Sequence, residues 1–481
     1  MDELLDGDIA GAAAALARGA VSARELTQAC LDRIAARDGA LRAFLQIERE
    51  SALTRADALD RAGRGAIALG PLHGIPIARK DMFDRAGRIA SCGAKRKDAR
   101  PAAETATCLA RLDAAGAIDL GALNMSEHAF HPHGLNALAG PARNPWDPAR
   151  TAGGSSGGSA AALAARFVFG SMGSDSGGSI RHPAALCGIT GLLPTPGRIS
   201  RHGMMRSSPA LDAAGPMART ARDCALLFAA AAGADPSDEA TVQISFAPKP
   251  AATLRNRTLA RPLDAQLASL SPDARVVFEQ AAKAFAAEGA DIVEVELPQW
   301  NALNALAAIV FASEVAATHR RRLADDPGAY SPEVRERMAA GFVYPAADYL
   351  DALRIRARMT RAFVETVFAR ADALLLPCSP DVAPRLDEVL PGAAQRRYDA
   401  GAYTLATAAD PGRFTRALNY LGLPALALPG GFSRAGLPLG IQLAGRPFAE
   451  ATLFALGEAY QQATGHHRRL PPGLTPARCA T

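Results

Sequence analysis

The chain has 481 residues, 49% hydrophobic and 21% charged, with a formal net charge of +5. Such a chain buries one large globular core, and its scattered basic residues, without interleaved aromatics, exclude nucleic acid as the main partner. Seven cysteines with no C-x-x-C pair argue against a disulfide framework or zinc site and for a reducing, cytoplasmic compartment; the acidic start MDELLDGDIA lacks signal character, and no uninterrupted apolar run suits a membrane span.

Residues 1–60 read as a helical segment packed on the core. Ser22 and Glu25 form an S-x-x-E capping box ahead of an amphipathic run, and a second helix covers 52–62. A short buried strand is expected at 75–78, after Gly70-Pro71. Helix 105–115 and strand 117–120 follow, then an Ala-rich helix at 157–166 and a strand at 167–172. Thr220 with Asp223 caps another helix. Ser271-Pro272 opens one that runs to Glu288, with proline at the favoured first position. A strand is expected at 291–297, long helices at 301–323 and 346–371, and strands at 373–376, 425–428 and 439–443, before a helix at 449–464. Segment 240–270 gives no clear pattern. The alternation predicts one large α/β domain with a mixed, mostly parallel sheet and helices on both faces. Sites in such sheets lie beyond the carboxyl ends of strands.

Lysine occurs only at 80, 95, 97, 249 and 283, against 48 arginines. Lysine can lose its proton when desolvated and arginine cannot, so Lys80, at the end of an apolar strand-like run, suits a job closed to arginine. Two Gly/Ser segments stand out: Gly153-Gly154-Ser155-Ser156-Gly157-Gly158-Ser159 and Gly173-Ser174-Asp175-Ser176-Gly177-Gly178-Ser179-Ile180-Arg181. Glycine lets consecutive backbone N–H groups line one concavity. The phosphate-loop and dinucleotide patterns are absent, which leaves an oxyanion hole beside a serine nucleophile. None of the nine histidines lies in a recognisable triad motif. A neutral lysine is the alternative base.

These residues resemble the amidase signature family of Ser–Ser–Lys amidohydrolases. The resemblance rests on the following stretches: Gly70-Pro71-Leu72-His73-Gly74-Ile75-Pro76 leading to Lys80-Asp81; Arg143-Asn144-Pro145-Trp146; the two Gly/Ser segments; Leu211-Asp212 with Gly215-Pro216; and Gly422-Leu423-Pro424-Ala425. It implies a catalytic domain over 61–475, with core motifs at 70–230, a variable substrate region at 240–370 and closing strands at 373–470. By residue-for-residue match, Lys80 is the base, Ser155 the bridging serine on a cis Gly154–Ser155 peptide, and Ser179 the nucleophile. The N–H groups of Ser176, Gly177, Gly178 and Ser179 are the oxyanion donors.

Chemically, the Ser155 hydroxyl can accept the Ser179 proton while passing its own to Lys80. The expected reaction is hydrolysis of a carboxamide or N-acyl C–N bond through a Ser179 acyl-enzyme, with a neutral-to-alkaline optimum. The resemblance implies that Asp175 and Arg181 brace the nucleophile turn as an ion pair; the alternative is two solvated charges. Ser156 supports Lys80 or Ser155, or merely fills a tight turn. Met125, His128, Gly153, Gly154 and His182 are candidate substrate contacts, with packing as the alternative reading for the side chains. Arg79 stands where the family favours an apolar residue, so its charge is expected to oppose protonation of Lys80. Ser174 and Ser176 stand where threonine is frequent. No cofactor or metal is expected, the partner is a small-molecule amide, and a homodimer stays open. The alternatives are the glutaminase subunit of a tRNA-dependent amidotransferase, an ester or carbamate hydrolase using the same site, and an idle binding protein on the same scaffold.

Overall fold

The computed structural model describes residues 1–63, 70–95, 99–249, 251, 253–390 and 410–474; Lys97 and Cys479 lie outside them. Thirteen strands occur among these residues: β1 (Phe44–Ile47), β2 (Pro76–Lys80), β3 (Ile118–Leu123), β4 (Arg143–Asn144), β5 (Asp147–Thr151), β6 (Gly170–Asp175), β7 (Thr190–Leu193), β8 (Ala213–Ala218), β9 (Thr258–Pro262), β10 (Asp291–Val295), β11 (Ala373–Pro377), β12 (Ala425–Phe432) and β13 (Pro438–Ala444). Eleven of them form one sheet in the order β1-β3-β2-β6-β8-β7-β12-β13-β11-β9-β10, and β4 pairs with β5 apart from it.

The sheet is mixed, as the strand–helix alternation implies. Parallel ladders join β3, β2 and β6 on one flank and β11, β9 and β10 on the other. The strands between them pair antiparallel, so the parallel share is smaller than alternation alone predicts. The physical reason is local: β12 and β13 form a hairpin through a short connection, which only antiparallel strands allow.

Side-chain alternation sends neighbouring strand residues to opposite faces. Leu259, Leu375 and Leu443 join one apolar cluster with the helices Pro272–Ala287 and Glu450–Thr464. Their neighbours Ala260, Leu374, Leu376 and Ala444 join another with the helices Trp300–Asp325 and Ala346–Val367. Helices thus cover both faces. The N-terminal helices share the first cluster through Leu5, Ile9, Leu26, Ile34 and Leu59. The Ser22–Glu25 capping box forms, and Ser271 caps its helix by accepting from the Ala274 N–H.

Several elements depart from the sequence expectation. Residues 1–60 are not all helical, because β1 pairs with β3 at the edge of the sheet. The strand expected at 167–172 lies at Gly170–Asp175. Segment 240–270 contains β9, which is held between β11 and β10. The helix Trp300–Asp325 is long and apolar enough by composition to cross a membrane. Here it buries Trp300, Leu303, Val310, Glu314 and His319 within the domain. None of the six described cysteines forms a disulfide.

Candidate active site

Strand β2 carries Lys80 to its carboxyl end, where β6 lies alongside in parallel with Arg79 level with Met172. This pairing brings together groups far apart in sequence. The Lys80 Nζ donates to Ser155 Oγ at 2.6 Å and to Ser174 Oγ at 2.8 Å. Lys80 and Ser155 are both 0% exposed. Burial pushes the Lys80 ammonium down to about 7, against a partial upward pull from Asp175 and Asp212. An amine so placed is neutral in a substantial fraction of molecules near neutral pH and can take a proton.

Arg79, the next residue along the strand, points to the opposite face. It is buried between Asp119 and Glu48, 2.6 Å from the latter. Its charge is thus neutralised by two carboxylates and does not burden Lys80, which corrects the expectation drawn from its position.

The Gly154–Ser155 peptide is cis. The loop before it explains the glycine. A side chain at Gly154 would run into the His131 carbonyl, Ser126 Oγ and Gly134 N–H. The Ser126 N–H donates to the Ser155 carbonyl at 3.1 Å, so this loop holds the Ser155 backbone in place. Gly153 has φ +83 and lies against Pro183 and Leu186. Ser156 bonds neither Lys80 nor Ser155. Its N–H donates to the Ser179 carbonyl at 3.2 Å and its Oγ to the Ser174 carbonyl at 3.4 Å, so it ties the two Gly/Ser segments to each other.

The second segment leaves β6 and turns into the helix Arg181–Cys187. Ser179 and Gly177 are half-buried, unlike the enclosed Lys80 and Ser155. Lys80 and Ser155 are thus joined by a hydrogen bond, and Ser179 is tied to the same segment through its carbonyl, which accepts from the Ser156 N–H. Asp175 organises the far half of the turn. It accepts from the N–H groups of Gly178 at 2.7 Å, Ile180 at 3.2 Å and Arg181 at 3.3 Å. The Gly178 N–H is thus already engaged, a correction to its expected place among the oxyanion donors. The N–H groups of Ser176, Gly177 and Ser179 have no hydrogen-bond partner among the described residues. At Gly178, φ is +123 and a side chain would meet Thr415, so only glycine fits.

Asp175 and Arg181 form a fully buried two-point ion pair, at 3.0 and 3.1 Å. Arg181 also donates to Gln442 Oε1 at 2.9 Å, Asn419 Oδ1 at 2.6 Å and the Thr415 carbonyl at 3.0 Å. Burial alone would raise the Asp175 carboxyl, but Arg181 and Asn419 hold it below the usual value. The reading of two solvated charges is therefore wrong. Asn144 and Trp146 donate to the Leu186 and Cys187 carbonyls, both at 2.9 Å, satisfying the end of the helix that follows Ser179.

A model of the family described as Amidase matches residues 25–454. The chain belongs to the amidase family. It is accordingly an enzyme acting on C–N amide bonds. It is 38% identical over 494 residues, 97% of this chain and 99% of the relative, to a glutamyl-tRNA(Gln) amidotransferase subunit of Thioalkalivibrio sulfidiphilus (strain HL-EbGR7). A crystal structure described as that of an amidase is similar at 32% identity and TM-score 0.83, over 95% of this chain and 99% of that one. The peptide amidase PAM, solved with the competitive inhibitor chymostatin, is similar at 30% identity and TM-score 0.80, over 96% and 98%.

The remaining candidates of this amidase divide. Met125 is buried in the main apolar cluster and its carbonyl accepts from Asn136 at 2.8 Å. His128 is buried with its ring 4.9 Å from that of His319 and 5.1 Å from that of Tyr330, in an aromatic group against the helix Trp300–Asp325. His182 is buried beside the Gly154 and Pro132 backbone, and burial pushes it down to about 4, so it stays neutral at ordinary pH. All three residues are buried.

Sequence reasoning missed Ser174, the second acceptor of the Lys80 amine. It also missed Thr415, whose hydroxyl donates to the Gly177 carbonyl at 2.7 Å, and Gln442, which accepts from Arg181. Ser174 lies in a segment already singled out, so the available signal was its side: as a strand residue two before Ser176, it alternates onto the same face. Thr415 and Gln442 carry no local signal.

Proposed function

We propose that this amidase hydrolyses a small carboxamide or N-acyl compound through an acyl-enzyme on Ser179. Ser155 relays the Ser179 proton to Lys80, and the N–H groups of Ser176, Gly177 and Ser179 receive the developing oxyanion. The observation that carries this reading is the 2.6 Å contact between the buried Lys80 amine and the Ser155 hydroxyl. That contact supplies the acceptor without which a serine hydroxyl is a weak nucleophile. As the tetrahedral intermediate collapses and the C–N bond breaks, the relay gives its proton to the leaving amine, and water then repeats the sequence on the acyl-enzyme ester. Carbamates and esters share the acylation step and fall within reach of the same site.

A screen of amides, amino-acid amides and carbamates, read by release of ammonia or amine, tests the proposal. Turnover in the wild type and none in Ser179→Ala is expected. Full turnover in Ser179→Ala would end it. A second reading is supported by the relatives named as amidotransferase subunits: this chain would release ammonia from glutamine only together with partner proteins. Glutaminase activity that appears only when a partner co-purifies would favour that reading.

A further inference from the structure

The turn that presents Ser179 is held by two carboxylates of different character. Asp175 holds its second half and is matched by Arg181. The first half begins at Ser176, whose hydroxyl donates to Asp212 Oδ1. The other oxygen, Asp212 Oδ2, accepts from the N–H groups of Ser207 at 2.7 Å and Ser208 at 2.9 Å. Asp212 lies just before β8, the antiparallel neighbour of β6, where Ala213 is level with Asp175. The register therefore fixes the carboxylate beside the turn.

We propose that Asp212 is a positioning residue of the acylation step, whose carboxylate aims the first half of the oxyanion turn through Ser176 and acts by its charge on the Lys80 amine. This inference rests on the function proposed above. Three observations support it. Ser176 and Gly177, which Asp212 steadies, carry two of the three N–H groups left open for an oxyanion. Among the described residues, no cationic side chain bonds the Asp212 carboxylate, whereas Asp175 has Arg181. Burial raises the Asp212 carboxyl to about 6, opposed by its bonds from Ser176, Ser208 and Ser207 and by the more distant charge of Arg201. The titratable and charged groups facing this site are Lys80 on β2, Asp175 at the end of β6, Arg181 on the following helix, Arg201 on the loop before β8, Glu314 on the helix Trp300–Asp325 and Cys92, which acts on Lys80. Asp175 and Asp212 are the two carboxylates that favour the protonated form of Lys80.

The same residue links the turn to the variable region. Ser207 Oγ donates to the His128 carbonyl at 3.4 Å, and Ser208 Oγ donates to Glu314 on the helix Trp300–Asp325. Glu314 also accepts from the Ala210 N–H and the Tyr349 hydroxyl, both at 3.0 Å. Asp212 is thus where the catalytic turn and the specificity helices meet.

The test is the rate at which a fluorophosphonate probe labels Ser179 as a function of pH, which needs no knowledge of the substrate. Asp212→Asn keeps the shape and removes the charge. It is expected to label about ten- to a hundredfold more slowly, the scale of a misplaced reacting group, with its acid limb moved to lower pH. Ser176→Ala is expected to slow labelling, and Ser176→Thr to restore the rate. Asp212→Asn labelling at the wild-type rate with an unmoved limb would overturn the inference. So would Ser176→Thr behaving no better than Ser176→Ala, and that pair decides the matter if Asp212→Asn does not fold. Wild-type protein that fails to label at Ser179 would refute the catalytic reading itself; normal wild-type labelling with an indifferent Asp212→Asn sinks the positioning role alone.

Discussion

Replacing Lys80 by methionine should stabilise the fold while abolishing turnover, and the gain should depend on pH. Burial lowers the Lys80 amine from 10.5 to about 7. The unfolded chain therefore binds a proton that the folded chain does not between those values, and wild-type stability rises with pH across that window. Below about pH 7 the full penalty applies, and above the ordinary lysine value none does. At 1.36 kcal/mol per unit the burial cost is about 5 kcal/mol near pH 6 and about 2 kcal/mol near pH 9. Methionine forfeits the two hydrogen bonds to Ser155 and Ser174, at about 1 kcal/mol each. The net expectation is a gain of about 3 kcal/mol at the lower pH and almost nothing at the higher. For a chain of this length the unfolding entropy makes 1 kcal/mol worth about 1 °C. Differential scanning of the two proteins should therefore give a difference in Tm that shrinks by about 3 °C between these conditions. A difference independent of pH would mean that Lys80 ionises as an ordinary lysine, and the basis of the relay would be gone.

Three other expectations follow from the same geometry. The rate kcat/KM should fall about tenfold per pH unit below about pH 7, as Lys80 takes up its proton; a maximum near pH 5 would contradict this. Arg79→Met should destabilise by about 3–5 kcal/mol in denaturant unfolding, because it strips the partner from two buried carboxylates, yet turnover per folded molecule should persist. Gly178→Ala should lose activity, because φ of +123 and the Thr415 side chain leave no room for a methyl group; wild-type turnover in that variant would show that the turn is not held as described.

The elements legible in the sequence were those with their own apolar signature. Strands β2, β3, β11, β12 and β13 are runs of aliphatic residues bounded by Gly or Pro, and each lies within a few residues of its expected place. Strands β7 and β8 were not foreseen. Thr190-Gly191-Leu192-Leu193 and Ala213-Ala214-Gly215-Pro216-Met217-Ala218 have almost no β-branched or aromatic content, so pairing with their neighbours decides their state. Strand β6 shifted for the same reason: the aromatic run before it reads more strongly than Gly-Ser-Met-Gly-Ser-Asp itself. Strand β9 carries two charged or polar residues in five and takes its place from β11 and β10.

The candidate site divides in the same way. Lys80 stood out by composition and the two Gly/Ser segments by their glycines, while Ser155 and Ser179 were picked out of those segments by family resemblance. What surrounds them did not. Ser174 reaches the Lys80 amine because β2 and β6 run side by side. Arg79 looked like a threat to Lys80 until alternation placed it on the other face, against Glu48 and Asp119. Gly178 looked like a donor to substrate until Asp175 claimed its N–H. Each of these depends on contacts between residues distant in sequence, which periodicity does not encode.

The central claim is that a buried, uncharged lysine activates Ser179 through one intervening hydroxyl. Peptide mapping of the fluorophosphonate adduct, in the wild type and in Lys80→Met, addresses it most directly. The account predicts phosphonylation of Ser179 in the wild type, at a rate that climbs as Lys80 deprotonates, and almost none in Lys80→Met. An adduct on another residue, or equal labelling of Ser179 in both proteins, would contradict it.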